Sequence, residues 1–346
     1  AFAVVLLLCG LCAACSSPVT PMAPSTPGGP ATSFAPMNIQ LGHPETSAPD
    51  NLLQIFCTTI AENVSAATDG AVKIDVFGDG VLGPEPDMLE GLVIGTMDMA
   101  VITNAMISSL APSAQVSELP FVYPNYEVAA QFLDDPVWDT VEADVEANVN
   151  AKLLGYAFTG FRQTYNNVRP ISSAADFKGI KIRVMPTPVF FDSFGLLGAN
   201  PTPMAYSELL TALQQGTVDA MEGPITSTYS GQFYKVIKYC DLTNHTLNTN
   251  GVLVNLELWN SFSPELQEIF TEAVQDAIAK ERQMLMEVED QVLGEIEAFG
   301  VAVNRDVDTL SMQTVVRSMY QVYREKSGPE HFDACMELLA ELSGAQ

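Results

Sequence analysis

Twice along the chain, short strands that alternate apolar and polar residues are separated by amphipathic helices, and this rhythm constrains the fold more than any other feature. The first unit opens with a strand at 38–43 and passes through a polar loop at 44–49 into a helix ending near Thr68. A strand at 73–77, a helix at 87–95 and a buried strand at 97–102 follow, each identified by its hydrophobic period. The second unit begins near Gly160, with a strand at 180–184, helices at 189–197 and 206–215, and a strand at 218–221. Alternation of this kind gives parallel strands with helices on the sheet faces, an α/β fold that binds ligands at loops beyond the carboxyl ends of its strands. At 346 residues the chain exceeds the roughly 100 to 200 of a single domain, so two lobes are expected. After a strand at 251–256, residues 264–298 read as one helix rich in Glu and Gln. At 1.5 Å per residue it would measure about 50 Å, longer than a small lobe, and is expected to lie across both. Helices at 308–326 and 329–342 complete the body.

Charge narrows the function. A net charge of −27 and an isoelectric point near 4.1 exclude nucleic acid as a partner, because phosphate binding needs clustered Lys and Arg, and disfavour anionic membrane surfaces. Before residue 160 the only basic side chains are Lys73 and Lys152; then Arg162, Arg169 and Arg183 arrive close together. In so acidic a chain the cluster has two readings. One is an anion site, since guanidinium grips a carboxylate through two parallel hydrogen bonds. The other is surface salt bridging, and composition leaves both open.

Residues 1–14 form an apolar run, too short to span a membrane but suited to a signal-peptide core. The basic segment that normally precedes such a core is missing, so the chain is expected to begin inside the signal. Cys15 follows Leu11-Cys12-Ala13-Ala14 and precedes two serines, the pattern of a bacterial lipoprotein cleavage site, with Cys12 standing where Leu is usual. Lipidation at Cys15 is therefore expected, with the Pro-, Ser-, Thr- and Gly-rich stretch 16–37 as a tether. The body retains Cys57, Cys240 and Cys335, whose number and spacing match neither a zinc site nor a disulfide framework. At most one bridge can form, and buried thiols are expected.

Other motifs dissolve on inspection. Gly78 to Gly83 spells G-x-G-x-x-G after a strand, but Asp79 and Glu85 would repel a pyrophosphate, and Pro84 and Pro86 delay the helix that should hold it. A turn is expected there. Asn63 and Asn244 head glycosylation triplets, which carry no weight because the expected lipoprotein signal points to bacteria, where such triplets are rarely read. The three histidines, His43, His245 and His331, lie far apart, and no G-x-S-x-G elbow exists. No metal, cofactor or catalytic set is expected. His43 and Glu45, at the end of the first strand, are candidates for ligand contact or for a structural role, while His245 is expected to fix a turn. The acids at 87–92 and 264–268 read as solvated helix faces.

Three longer stretches carry a family resemblance: Gly160-Phe-Arg-Gln-Thr-Tyr-Asn-Asn-Val-Arg-Pro170, Lys181-Ile-Arg-Val184, and Gly198-Ala-Asn-Pro-Thr-Pro-Met-Ala-Tyr-Ser-Glu208. With Thr211 to Glu222, Leu242-Thr-Asn-His245, Leu82-Gly83 and Leu119-Pro-Phe121 in order, the chain from about 38 to 340 resembles the DctP-type substrate-binding proteins of TRAP (tripartite ATP-independent periplasmic) transporters. The resemblance implies a two-lobed, type II periplasmic-binding-protein-like fold with a long helix spanning both lobes. The lobes are placed at 38–159 with about 249–288, and 160–248 with about 289–346. It implies a receptor, not an enzyme, which closes on a small organic acid and passes it to the membrane permease subunits driven by an ion gradient. A monomer is expected, in the periplasm or lipid-anchored on the outer face of the cytoplasmic membrane.

By the same resemblance the principal carboxylate-binding arginine falls on Arg183 and the second on Arg162, while Arg169 is neither. The ring that packs on the ligand falls on Tyr206, and the first lobe contributes loops equivalent to 43–46 together with Thr103 and Asn104. Where relatives usually read Glu-Asn-Pro, this chain has Glu222-Gly223-Pro224. Without the Asn amide, Gly223 leaves room for a bulkier acid or for water. The ligand class therefore stays open among dicarboxylates, keto acids and sugar acids. The competing readings are an ABC-type or sensor-associated receptor, against which the long helix speaks, an acid-processing enzyme, for which no paired acid and base is found, and a structural surface lipoprotein, countered by the clustered arginines.

Overall fold

Ten strands make one mixed sheet in this computed structural model, which describes residues 34–344. The expected signal segment, Cys15 and nearly all of the tether lie outside the described residues. The strands are β1 (Met37–Gly42), β2 (Val72–Phe77), β3 (Met99–Thr103), β4 (Ala151–Asn166), β5 (Lys181–Val184), β6 (Asn200–Pro203), β7 (Ala220–Pro224), β8 (Tyr239–Asp241), β9 (Leu247–Asn255) and β10 (Ala302–Asn304). The main order is β2-β1-β3-β9-β4-β7-β5-β6, with β8 on β4 and β10 on β8. Strands β2, β1 and β3 run parallel, as do β7, β5 and β6, which is the repeated unit expected from the alternation.

Two antiparallel strands join these halves. Strand β4 pairs with β9 from Ala151 to Phe161, then changes neighbour and pairs with β7 from Arg162 to Asn166. Neither strand matches the sequence expectation: β4 was not anticipated, and β9 starts at Leu247 rather than 251. Both are buried almost throughout, so they show no alternation of apolar and polar residues. Along β4 the register shifts between Leu153 and Tyr156 and again between Phe158 and Gly160. Gly155 and Gly160 sit there at φ +138° and +115°, values that favour glycine.

The long helix runs Pro264–Phe299, one residue beyond expectation. Ser263 caps it by accepting from the Leu266 amide, Pro264 occupies its first position, and Gly300 ends it at φ +117°. Its buried residues recur every three or four positions and enter three separate apolar clusters. Leu266, Phe270, Val274 and Ile278 pack with the β1–β3 strands, Leu285 joins the largest cluster, and Leu293 and Ile296 pack beside β7 and β8. The helix expected at 308–326 is divided into Thr309–Val316 and Tyr320–Ser327 by a 3-10 turn, Arg317–Met319. Cys57, Cys240 and Cys335 are separate buried thiols. Gly78 to Gly83 form turns, with Asp79, Gly80 and Gly83 at positive φ, ahead of a helix at Glu85–Ile94.

Candidate functional site

Arg162 is the first β4 residue paired with β7, directly opposite Pro224. Glu222 lies two positions along on the same face of β7, within diagonal reach of the guanidinium. The two form a bidentate pair: Nε donates to Glu222 Oε2 and Nη2 to Oε1 at 2.8 Å, while Nη1 donates to Asn248 Oδ1. Asn248 in turn donates to Thr159 Oγ1 at 2.5 Å. The Phe190 ring lies 5.1 Å from the guanidinium carbon. His245 Nε2 stands 3.4 Å from Glu222 Oε2, while its Nδ1 shares a 2.9 Å hydrogen bond with Thr243 Oγ1. So His245 does more than shape its turn; it backs this pair. Burial opposes ionisation of Glu222, but the Arg162 charge and its hydrogen bonds, with the His245 ring close by, outweigh it and hold the carboxyl at about 2.

Arg183 differs. It is 3 % exposed, and its Nε donates to the Met204 carbonyl at 2.8 Å. Its terminal nitrogens make no hydrogen bond to protein and no ion pair among the described residues. Burial pushes the group down to about 10 despite the Glu222 carboxylate, so it remains charged at neutral pH.

Both arginines line one cavity of about 40 Å³, room for more than one water, together with Glu222, Gly223, Tyr206 and Asn248. The opposite wall comes from the β1–β3 unit: Glu45 after β1, Glu85 opening the helix after β2, and Thr103 ending β3. These are the carboxyl ends of parallel strands, where such folds place ligands. Glu45 accepts from Ser227 Oγ at 2.6 Å and from Asn51 Nδ2 at 2.7 Å. Glu85 Oε1 accepts from both the amide and the hydroxyl of Thr103, each at 2.8 Å, while Oε2 has no partner among the described residues. Burial raises both carboxyl groups above the ordinary range.

Two expected contacts are placed elsewhere. His43 is buried against Gln54, with 2.9 Å between Nε2 and Oε1, and does not line the cavity. Asn104 is spent on Ser117, Glu118 and Tyr156, tying the short helix after β3 to its neighbours. In each case the side chain adjoins the site in sequence but satisfies a buried polar group behind it. Arg169 binds the carbonyls of Asp176 and Lys178, away from the cavity. Glu85, Asn248 and Ser227 were missed. In the sequence Glu85 reads only as an obstacle to pyrophosphate, although an acid opening a helix beyond a strand's carboxyl end is itself a signal. A larger depression of about 640 Å³ lies between the loop around Phe121 and Glu289, but no basic residue lines it. Among the described residues no helix is long and apolar enough to cross a membrane, and no cluster of His, Cys, Asp or Glu is set to hold a metal ion.

With this geometry in place, similarity to known proteins is specific. The 2,3-diketo-L-gulonate-binding periplasmic protein of Escherichia coli is 29 % identical over 302 residues, covering 87 % of this chain and 91 % of that protein. The sugar acid binding protein of Advenella mimigardefordensis, solved with galactonate, superimposes with a TM-score of 0.85 at 28 % identity, over 90 % of this chain and all of that one. A TRAP solute-binding protein from Polaromonas, bound to D-erythronate, gives 0.83 at 28 % identity over 87 % and 98 % of the two chains. The model of bacterial extracellular solute-binding proteins, family 7, matches residues 44–326, and the chain belongs to this DctP family of TRAP transporter receptors.

Proposed function

We propose that the cavity between the two parallel units captures a small organic carboxylate, which the receptor delivers to its TRAP permease. Arg183 carries the reading: a buried guanidinium with open terminal nitrogens in a cavity is built to pair with an anion. Arg162 and Glu222 form the rigid floor beneath it, Tyr206 packs on the ligand, and Gly223, Glu45 and Thr103 complete the walls. The ligands named for the relatives, galactonate, D-erythronate and 2,3-diketo-L-gulonate, are all carboxylates, which supports the class.

The lobes are assigned to 38–159 with about 249–288 and to 160–248 with about 289–346; the change of β4 partners between Phe161 and Arg162 supports this division. Cys15 is the proposed lipidation site and 16–37 the tether, for a monomer held at the outer face of the cytoplasmic membrane. The sequence around Cys15 supports the anchor. The test is calorimetric titration with a carboxylate panel, comparing wild type with Arg183→Ala. Removing the arginine leaves a buried anion unpaired and is expected to cost about 2 to 5 kcal/mol of binding. Retention of affinity within about twofold sinks the assignment.

A further inference from the structure

The cavity holds two guanidinium groups, and only one is open to a ligand. Arg162 is consumed by both oxygens of Glu222 and by Asn248, whereas the terminal nitrogens of Arg183 are uncommitted. No other Arg or Lys lines the cavity. Facing this single cation are two further carboxyl groups with different standing. Glu45 is already satisfied by Ser227 and Asn51. Glu85 is fixed through Oε1 by two donors from Thr103, which leaves Oε2 free to accept.

We propose that Glu85 sets the specificity of the site: it accepts a hydroxyl of a hydroxylated monocarboxylate whose carboxylate sits on Arg183, and it turns dicarboxylates away. The inference rests on the cavity being the solute site and deepens that reading by choosing among acids. A second carboxylate on the ligand would find no open cation among the lining residues and would meet Glu85 and Glu45 instead. A second carboxylate set beside these buried acids must either meet their negative charge or force a proton onto one of them, and both weaken binding. A hydroxyl in the same place supplies the donor that Glu85 Oε2 lacks, and hydrogen bonds to a charged group are the strong ones.

Calorimetric titration of the protein at pH 7 tests this with D-erythronate and D-galactonate, succinate and glutarate, hexanoate as the chain without hydroxyls, and D-galactose as the neutral control. At least one aldonate is expected to bind about tenfold or more tighter than either dicarboxylate and than hexanoate. Glu85→Gln keeps Oε1 as the acceptor for Thr103 and is expected to fold. It should weaken the aldonate about tenfold, leave hexanoate within about twofold and tighten succinate. A structural role for Glu85 would lower all acids together, and that result overturns the proposal. So does succinate or glutarate binding within about threefold of the best aldonate in wild type, which leaves the carboxylate receptor intact and removes only the specificity assignment. Binding of galactose alone, or of no acid, brings down the receptor reading and this inference with it. Should Glu85→Gln fail to fold, the order of the panel on wild type still decides.

Discussion

Ser227 donates a 2.6 Å hydrogen bond to Glu45 across the cavity, joining the helix after β7 to the loop after β1. Asn51, which caps the first helix, reinforces the junction by donating to Glu45 Oε2 and to Ser230 Oγ at 2.9 Å. These bonds link the two units at the mouth of the site, so they exist only while the units are together. Ser227→Ala leaves a buried carboxyl oxygen one donor short, at a cost of about 1 to 3 kcal/mol to that arrangement. Acid affinity should fall roughly five- to hundredfold with little change in the unliganded protein's thermal stability, as read by calorimetry and thermal melts. An equal loss of stability without ligand would show that the bond serves folding rather than closure.

Glu222→Gln should destabilise the fold by about 3 kcal/mol or more, because it strands the buried Arg162 guanidinium without its counter-charge. The same pair predicts a pH dependence. Glu222 is held at about 2, below its ordinary value of 4.5, so its contribution is fully present above 4.5 and is lost as pH falls toward 2. Urea unfolding between pH 5 and pH 2 should show that loss in wild type and a shallower one in the variant.

Glu281 predicts the opposite slope. Its Oε2 accepts from the Phe158 amide at 3.1 Å while its Oε1 is buried with no partner, and burial pushes the carboxyl up to about 8. The folded protein therefore holds a proton that the unfolded chain releases above 4.5, so this group's contribution declines as pH rises from 4.5 to 8. Glu281→Gln keeps an acceptor for Phe158 and removes the titration. It should raise stability at pH 8 by up to a few kcal/mol and leave it nearly unchanged at pH 4.5.

Two glycines should respond in contrasting ways to alanine. At Gly160, φ is +115° and a Cβ would stand 2.8 Å from Glu289 Oε1, the acceptor of the Tyr126 hydroxyl. Gly160→Ala is expected to cost about 1 to 3 kcal/mol or more. At Gly223 the nearest atoms to a Cβ are Met221 Cε at 3.6 Å and Thr228 Oγ1 at 4.0 Å, which is ordinary contact. Gly223→Ala should leave stability within about 0.5 kcal/mol while changing the relative affinities for large and small acids. Denaturant melts and titrations on both variants separate the two effects.

What the sequence made legible depended on exposure and on punctuation by helices. Strand Val72–Phe77 alternates buried and exposed positions, while β3 and β7 are buried throughout and are marked in the sequence by the helices that alternate with them. In β4 and β9 nearly every residue is buried, so the strands that connect the units left no periodic trace. Arg183 and Arg162 stood out because basic residues are scarce in an acidic chain, but only coordinates distinguish the arginine already paired from the one that is open. His43 and Asn104 adjoin the site in sequence and turn inward to other partners. Glu85 reads in the sequence only as an acid that would repel a pyrophosphate; the bond from the Thr103 amide that fixes it beside the cavity shows only in the fold.

Because the helix Pro264–Phe299 supplies side chains to all three apolar clusters, neither unit owns a complete interior. Melting one unit would strip a shared apolar stripe from the other, so heat should dismantle the whole body in a single cooperative transition. The receptor is then, thermodynamically, indivisible.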